Sequence, residues 1–190
     1  MSREAEIMVK TEEKTLESEL IYDGKILKLF RDTAELPDGR SAIREVVRKA
    51  DGVCIAAVDA EGRIAFVSQF RYPYGEDVLE LPAGKIDGDE DPDHAALREL
   101  KEETGVECGK LISLGCGMSS PGFCDESLWL YIAADLRKGE AVPDEGEFLN
   151  LSWISLEKAE EMALTGEIKD LKSRMLILAA AAYLRKEAEQ

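Results

Sequence analysis

The chain has 190 residues, 45% of them hydrophobic, which is enough for one ordinary domain with an accessory element around a packed core. Forty acidic residues against 24 basic ones leave a formal charge of −16. That balance argues against nucleic acid and anionic membranes as partners, and any anionic ligand must be met by positive charge recruited locally.

Four cysteines, Cys54, Cys108, Cys116 and Cys124, occur at no CxxC spacing, and the single His94 offers no second soft ligand for zinc. The N-terminal stretch MSREAEIMVKTEEKTLESEL lacks the apolar core of a signal peptide. The longest apolar run, from Met175 to Leu184, is too short to span a bilayer. Reduced thiols and a cytoplasmic location are the expectation.

Residues 1–15 are polar and aperiodic and read as a flexible arm. From Glu17 to Lys49, two turn signals, Tyr22-Asp23-Gly24 and Leu36-Pro37-Asp38-Gly39, separate segments rich in Ile, Leu, Phe and Val, the pattern of an antiparallel β meander. Val53 to Val58 and Ile64 to Phe70 read as a buried hairpin closed by Asp59-Ala60-Glu61-Gly62. Further strands are expected at Leu111 to Gly115, Leu128 to Ala133 and Leu149 to Ile154. Ser155 caps a helix ending before Gly166, and Asp170 caps a longer one through Lys186.

Strands and helices mix without regular βαβ alternation, which predicts an α+β sandwich. Residues 1–48 form a candidate N-terminal β subdomain and 49–190 the main domain. So small a meander buries too little apolar area alone, so it either extends the main sheet or packs on a second subunit.

The segment GKIDGDEDPDHAALRELKEETGV, residues 84–106, carries the strongest signal. Asp91 is a good N-cap, Pro92 suits the first turn and Gly105 fits just past the end, so residues 92–104 should be helical. Glu99, Glu102 and Glu103 then share one face. Each like-charge pair at such spacing costs roughly 0.2–0.5 kcal/mol on an exposed helix. A bound cation reverses that sign, and hard oxygen ligands suit Mg²⁺ or Mn²⁺, which finishes its shell on waters and phosphates.

Gly84, Glu90 and the run Arg98-Glu99-Leu100-Lys101-Glu102-Glu103-Thr104-Gly105-Val106 complete the pattern GX5EX7REUXEEXGU, with U aliphatic. In this the chain resembles the Nudix hydrolases. The resemblance implies an α/β/α sandwich, here preceded by the meander, and metal-dependent hydrolysis of a nucleoside diphosphate linked to another group. Arg98 is expected to orient the carboxylates, with Glu90 as its partner.

Gln69-Phe70-Arg71-Tyr72-Pro73, Glu80-Leu81-Pro82-Ala83-Gly84 and Ser120-Pro121-Gly122 resemble the ADP-ribose pyrophosphatase branch. By that resemblance ADP-ribose is the favoured substrate, with other nucleoside diphosphate sugars or a dinucleotide as the alternative, and a noncatalytic nucleotide-binding module as a further one. The resemblance implies Glu99, Glu102, Glu103 and the carbonyl of Ala83 as metal ligands. Arg71, Glu80, Pro121 and Glu126 are expected to meet the substrate, with Glu126, like Asp125, either lining the mouth of the site or a plain loop carboxylate. Glu147, then Glu145, or else a box glutamate such as Glu102, places the attacking water. The resemblance also implies a homodimer formed through the N-terminal subdomain. Two more residues keep open readings: Arg71 meets a diphosphate or pairs with Glu76 or Asp77, and Glu80 borders the pocket or faces solvent. Tyr22, Phe30, Tyr72 and Phe123 are candidates to flank the base, or else ordinary core, and Trp129 and Trp153 read as core.

Overall fold

The computed structural model describes residues 10–141, 146 and 148–189. The chain divides into two compact units, one comprising the residues up to Lys49 with Ser120–Glu126 and the other Ala50–Ser119 with Ser127 onward.

In the smaller unit, β1 (Lys14–Asp23), β2 (Leu27–Glu35) and β3 (Ser41–Lys49) form the antiparallel meander that the two turn signals predict. Lys14 and Thr15, expected in the arm, already pair with Glu35 and Ala34, and Glu13 holds Arg44 through two hydrogen bonds of 2.7 and 2.8 Å. β1 is exposed along its whole length. Segment Ser120–Glu126 joins this unit through backbone bonds between Val47 and both Phe123 and Asp125, and Lys49 pairs with Glu126.

The larger unit holds two sheets. One has the order β7 (Ala83–Lys85), β4 (Gly52–Ala57), β9 (Ser127–Lys138), β8 (Val106–Met118); the other has β10 (Asn150–Ser155), β5 (Arg63–Arg71), β6 (Glu76–Glu80). The hairpin expected from residues 53–70 is therefore corrected. The two segments pair only at an isolated bridge, Val58 to Ile64, just past β4, and β4 and β5 belong to different sheets. The reason is burial: every residue of β4 is buried, and it sits between β7 and β9, its pairing with β9 parallel. A strand flanked on both edges has no room for a third partner.

Three helices cover the sheets. Alternation along β4 sends Val53, Ile55 and Ala57 into one core with Ala95, Ala96 and Leu100 of α1 (Pro92–Thr104). Cys54 and Ala56 face the opposite core, with Ala159 and Ala163 of α2 (Leu156–Thr165) and Leu176, Ile177 and Ala180 of α3 (Leu171–Ala188). This is the α/β/α sandwich that the box resemblance implies. Ser155 and Asp170 cap α2 and α3 as the sequence indicates. Trp129 and Trp153 pack against the α1 core.

All four cysteines are free thiols. Cys54 is fully buried, and burial pushes its pKa up to about 12, assisted by the nearby charges of Asp170, Glu103 and Glu80 and opposed by Lys172. Iodoacetamide applied to the folded protein at pH 8 is therefore expected to label exposed Cys116 and to spare Cys54 until denaturant is added. Peptide mass spectrometry reads the outcome, and early labelling of Cys54 would contradict this packing.

Candidate active site

The site is organised around α1. Asp91 accepts a hydrogen bond from the Asp93 N–H at 2.9 Å, Pro92 occupies the first turn, and Gly105 closes the helix at φ 69° with its N–H on the Lys101 carbonyl at 2.8 Å. Gly105 is required twice over, because a Cβ there would also run into the backbone of Gly139–Ala141. The buried Tyr131 donates from its hydroxyl to Asp93 at 2.7 Å, fixing the helix start on β9.

Three glutamates leave this helix in different environments. Glu103 is only 6% exposed and accepts the backbone N–H of Ala83 at 3.0 Å. Glu99 lies against Gly84, where any Cβ would fall inside its carboxylate. The glycine that opens the motif is thus required for space, not for an unusual φ. Glu102 is half-buried and accepts from Arg98 at 3.0 Å.

Arg98 joins two of them, Glu99 and Glu102, to Glu90. Its Nε and Nη2 donate to the two oxygens of Glu90 at 3.0 and 2.8 Å, and Nη1 reaches Glu99 at 2.8 Å as well as Glu102. Nη2 also donates to the Lys85 carbonyl at 2.9 Å, tying the helix to β7. The Glu90 hydrogen bonds, against the opposing effect of burial and with Glu99 and Glu102 adding to them, raise the Arg98 pKa above the ordinary arginine value. The same bonds hold Glu90 below the usual carboxylate range. A planar fork that meets several carboxylates at once restrains their mutual repulsion.

A second polar cluster gathers at the end of β5. Arg71 forms a bidentate pair with Glu80, Nε to Oε1 at 2.6 Å and Nη2 to Oε2 at 2.9 Å. Neither Glu76 nor Asp77 is its partner, and Glu80, 3% exposed, does not face solvent. Burial acts to raise the Glu80 carboxyl, but the Arg71 hydrogen bonds and the Lys172 charge outweigh it and hold the group below its ordinary value. Glu103 and Asp170 add their fields to that of Glu80 in raising Arg71, so this arginine lies within electrostatic reach of the box.

Arg71, Glu80, Ala83, Arg98, Glu99, Glu102 and Glu103 all belong to the larger unit, whereas Pro121 and Glu126 fold with the smaller one. Glu126 is engaged by Lys49. Glu145 and Glu147 lie outside the described residues. Among the described residues no three His, Cys, Asp or Glu side chains form a ready-made cage. The donors nevertheless suit a hard cation, since Mg²⁺ takes one or two carboxylates and fills its shell with water and phosphate oxygens. Tyr22, Tyr72 and Phe123 are exposed, not core, and Phe30 lies under the Arg48 guanidinium at 4.1 Å. Sequence reasoning missed Lys172 and Ser173. The available signal was a lysine in the first turn of a helix, where the macrodipole disfavours it unless an acid holds it.

A family profile described as NUDIX domain matches residues 48–175. The chain belongs to the Nudix family. Its members work with a divalent metal ion. A second profile, the nucleoside diphosphate sugar hydrolase N-terminal domain, matches residues 13–47 of this Nudix hydrolase. A Bacillus methanolicus protein named Methanol dehydrogenase activator is 42% identical over 164 residues, which are 85% of this chain and 89% of its own. The ADP-ribose pyrophosphatase of Bacillus subtilis is 38% identical over 172 residues, covering 90% and 93%. The crystal structure of an ADP compounds hydrolase superposes with a TM-score of 0.82 over 93% of this chain and 96% of that one; at 19% identity the likeness concerns the fold alone.

Two outcomes follow from this geometry. Gly84→Ala must displace the Glu99 carboxylate, so turnover is expected to fall by about a hundredfold while overpacking lowers stability by roughly 1–3 kcal/mol; steady-state kinetics and thermal denaturation read both. Glu80 and Asp170 have folded pKa values below their unfolded ones, so their pairing contributes stability above the unfolded values that is lost as pH falls through the depressed ones. The stability gap between wild type and Glu80→Gln should therefore narrow in acid titrations as pH falls below the ordinary carboxylate range and close below the depressed value. A gap that stays constant with pH would contradict the assignment.

Proposed function

We propose that this Nudix hydrolase cleaves the pyrophosphate bond of ADP-ribose, using Mg²⁺ or Mn²⁺, in the cytoplasm. The observation that carries the reading is the cluster of Glu99 and Glu102, braced by Arg98, and Glu103, held by the Ala83 N–H, within reach of the Arg71 charge, on a chain 38% identical along most of its length to an ADP-ribose pyrophosphatase. Water supplies the oxygen of the new P–O bond, the bridging P–O bond breaks, and the products are AMP and ribose 5-phosphate.

In this reading Glu99, Glu102, Glu103 and the carbonyl of Ala83 hold the metal. When bound, the cation supplies the positive charge that the acidic surface lacks, polarises phosphoryl oxygens and acidifies water. Arg98 keeps Glu99 and Glu102 at fixed separation, and the Ala83 N–H does the same for Glu103. Arg71 offers a guanidinium to the diphosphate, and Glu80 orients it. Glu147 places or deprotonates the attacking water, with Glu145 as the second choice. The N-terminal subdomain joins two copies as a homodimer, a role supported by the exposed Leu16, Leu20, Tyr22 and Ile43 on its strands.

ADP-ribose incubated with Mg²⁺ in ¹⁸O-water should yield AMP and ribose 5-phosphate, with the label on whichever product received the attack. Preference for GDP-mannose or NADH over ADP-ribose in the same panel would move the substrate to another nucleotide. Glu103→Gln is expected to lower kcat by at least about a hundredfold without unfolding the protein. Glu147→Gln should slow turnover yet leave calorimetric Mg²⁺ affinity nearly intact; equal loss of metal would place it among the ligands.

A further inference from the structure

The first turn of α3 reaches the end of β6 and the segment after it through two side chains, Lys172 and Ser173, both held by the cap Asp170. Lys172 donates to the Glu80 carboxylate and, at 2.9 Å, to Asp170 Oδ2. Asp170 caps the helix by accepting the Ser173 N–H at 2.9 Å and also accepts the Ser173 hydroxyl proton. Ser173 Oγ in turn accepts the Leu81 N–H at 2.8 Å. Leu81 stands two residues before Ala83.

The capping of α3 is complete without Lys172, since Asp170 and Ser173 accomplish it between them. An ammonium group at a helix N-terminus opposes the macrodipole, and burying one is costly unless it is paired. The Lys172 side chain is nonetheless only 17% exposed. Two carboxylates explain its place, Asp170 beside it at the helix cap and Glu80 at the end of β6. The Glu80 carboxylate receives Arg71 on both oxygens and Lys172 on Oε2, while Lys172 also holds Asp170, so two cations and two anions form one network. If Glu80 faced Arg71 alone, the bidentate pair would neutralise the guanidinium, and a diphosphate would have to compete with the glutamate. With Lys172 sharing the Glu80 carboxylate, Arg71 keeps its orientation and is less completely neutralised than it would be by a glutamate that faced it alone. Its Nη1 makes no hydrogen bond among the described residues and remains available as a donor.

We propose that Lys172 is a positioning residue for substrate: it holds Glu80 from behind, so that Arg71 presents a fixed and incompletely neutralised guanidinium to the diphosphate. The inference rests on the reading above in which Arg71 meets that diphosphate.

The test is a double-mutant cycle on the full-length protein with Lys172→Met, Arg71→Ala and the combination, followed by steady-state kinetics on ADP-ribose. Lys172→Met should raise KM about tenfold, within the usual range of coupling inside one ion-pair network, with kcat changed far less. Introduced into Arg71→Ala, the same substitution should leave KM nearly unchanged. Lys169→Met is the control, because Lys169 pairs with Glu76 in the same region but on the surface, and it should not alter KM. A Lys172→Met variant with lower thermal stability and normal KM would reduce Lys172 to a structural staple and overturn the proposal. So would equal rises of KM in both backgrounds. Should Lys172→Met fail to fold, Lys172→Gln keeps a donor for Glu80 without the charge and takes its place. Calorimetric affinity for ADP, measured on the same proteins, runs the cycle without reference to the sugar. If wild type binds ADP but leaves ADP-ribose intact, the substrate reading falls while the Lys172 coupling is still decided. A wild type that binds neither overturns both.

Discussion

Repulsion among acids on one short helix is the constraint around which the larger unit is built. Glu99, Glu102 and Glu103 fall within five residues of each other on a chain that already carries a formal charge of −16. Arg98 answers most of it from the same helix, bridging Glu90, Glu99 and Glu102 and anchoring to the Lys85 carbonyl. Glu103 is handled differently, by burial against a backbone N–H of β7. Among the described residues, one guanidinium and one peptide group hold these carboxylates in place, an arrangement whose oxygen donors suit a divalent cation.

Such an arrangement needs close approach, and two glycines permit it. Gly84 lets the β7 backbone lie directly against the Glu99 carboxylate, while Gly105 ends α1 in a left-handed conformation where the chain at Gly139–Ala141 passes close by. The sheets supply the rigidity. β4, buried on both faces, takes β7 on one edge and β9 on the other, so the strand bearing Ala83 and Gly84 cannot drift from the helix packed over it. The Arg71 cluster is held from the other side of the sandwich by the start of α3. Ion pairs at this depth contribute mainly geometry, since desolvation offsets much of their attraction.

Local rules carried the reading of the elements. The caps at Asp91, Ser155 and Asp170 mark three helix starts, because capping depends only on residues within a turn of one another. Gly-containing turns delimit the meander for the same reason. The same logic misled at residues 53–70, where two apolar runs around a tight loop look like a hairpin. Whether neighbouring strands pair or diverge depends on which other strands claim their edges, and β9 lies some seventy residues further along the chain. Glu80 and Arg71 show the same limit at the level of side chains. Their nine-residue separation conceals the pairing, and the partner that completes the cluster, Lys172, stands on the last helix.

By itself, the sequence determined the chemistry of the box: a spacing of three and four residues puts carboxylates on one helical face wherever that helix is placed, and the arginine beside them follows from the same periodicity. It also determined that α1 begins at Pro92 and ends at Thr104. Only the tertiary structure decided which backbone approaches those carboxylates, which sheet each strand joins, and that Glu80 is buried between two cations. Those outcomes depend on contacts between segments distant in the chain, where burial and edge pairing outweigh local preference.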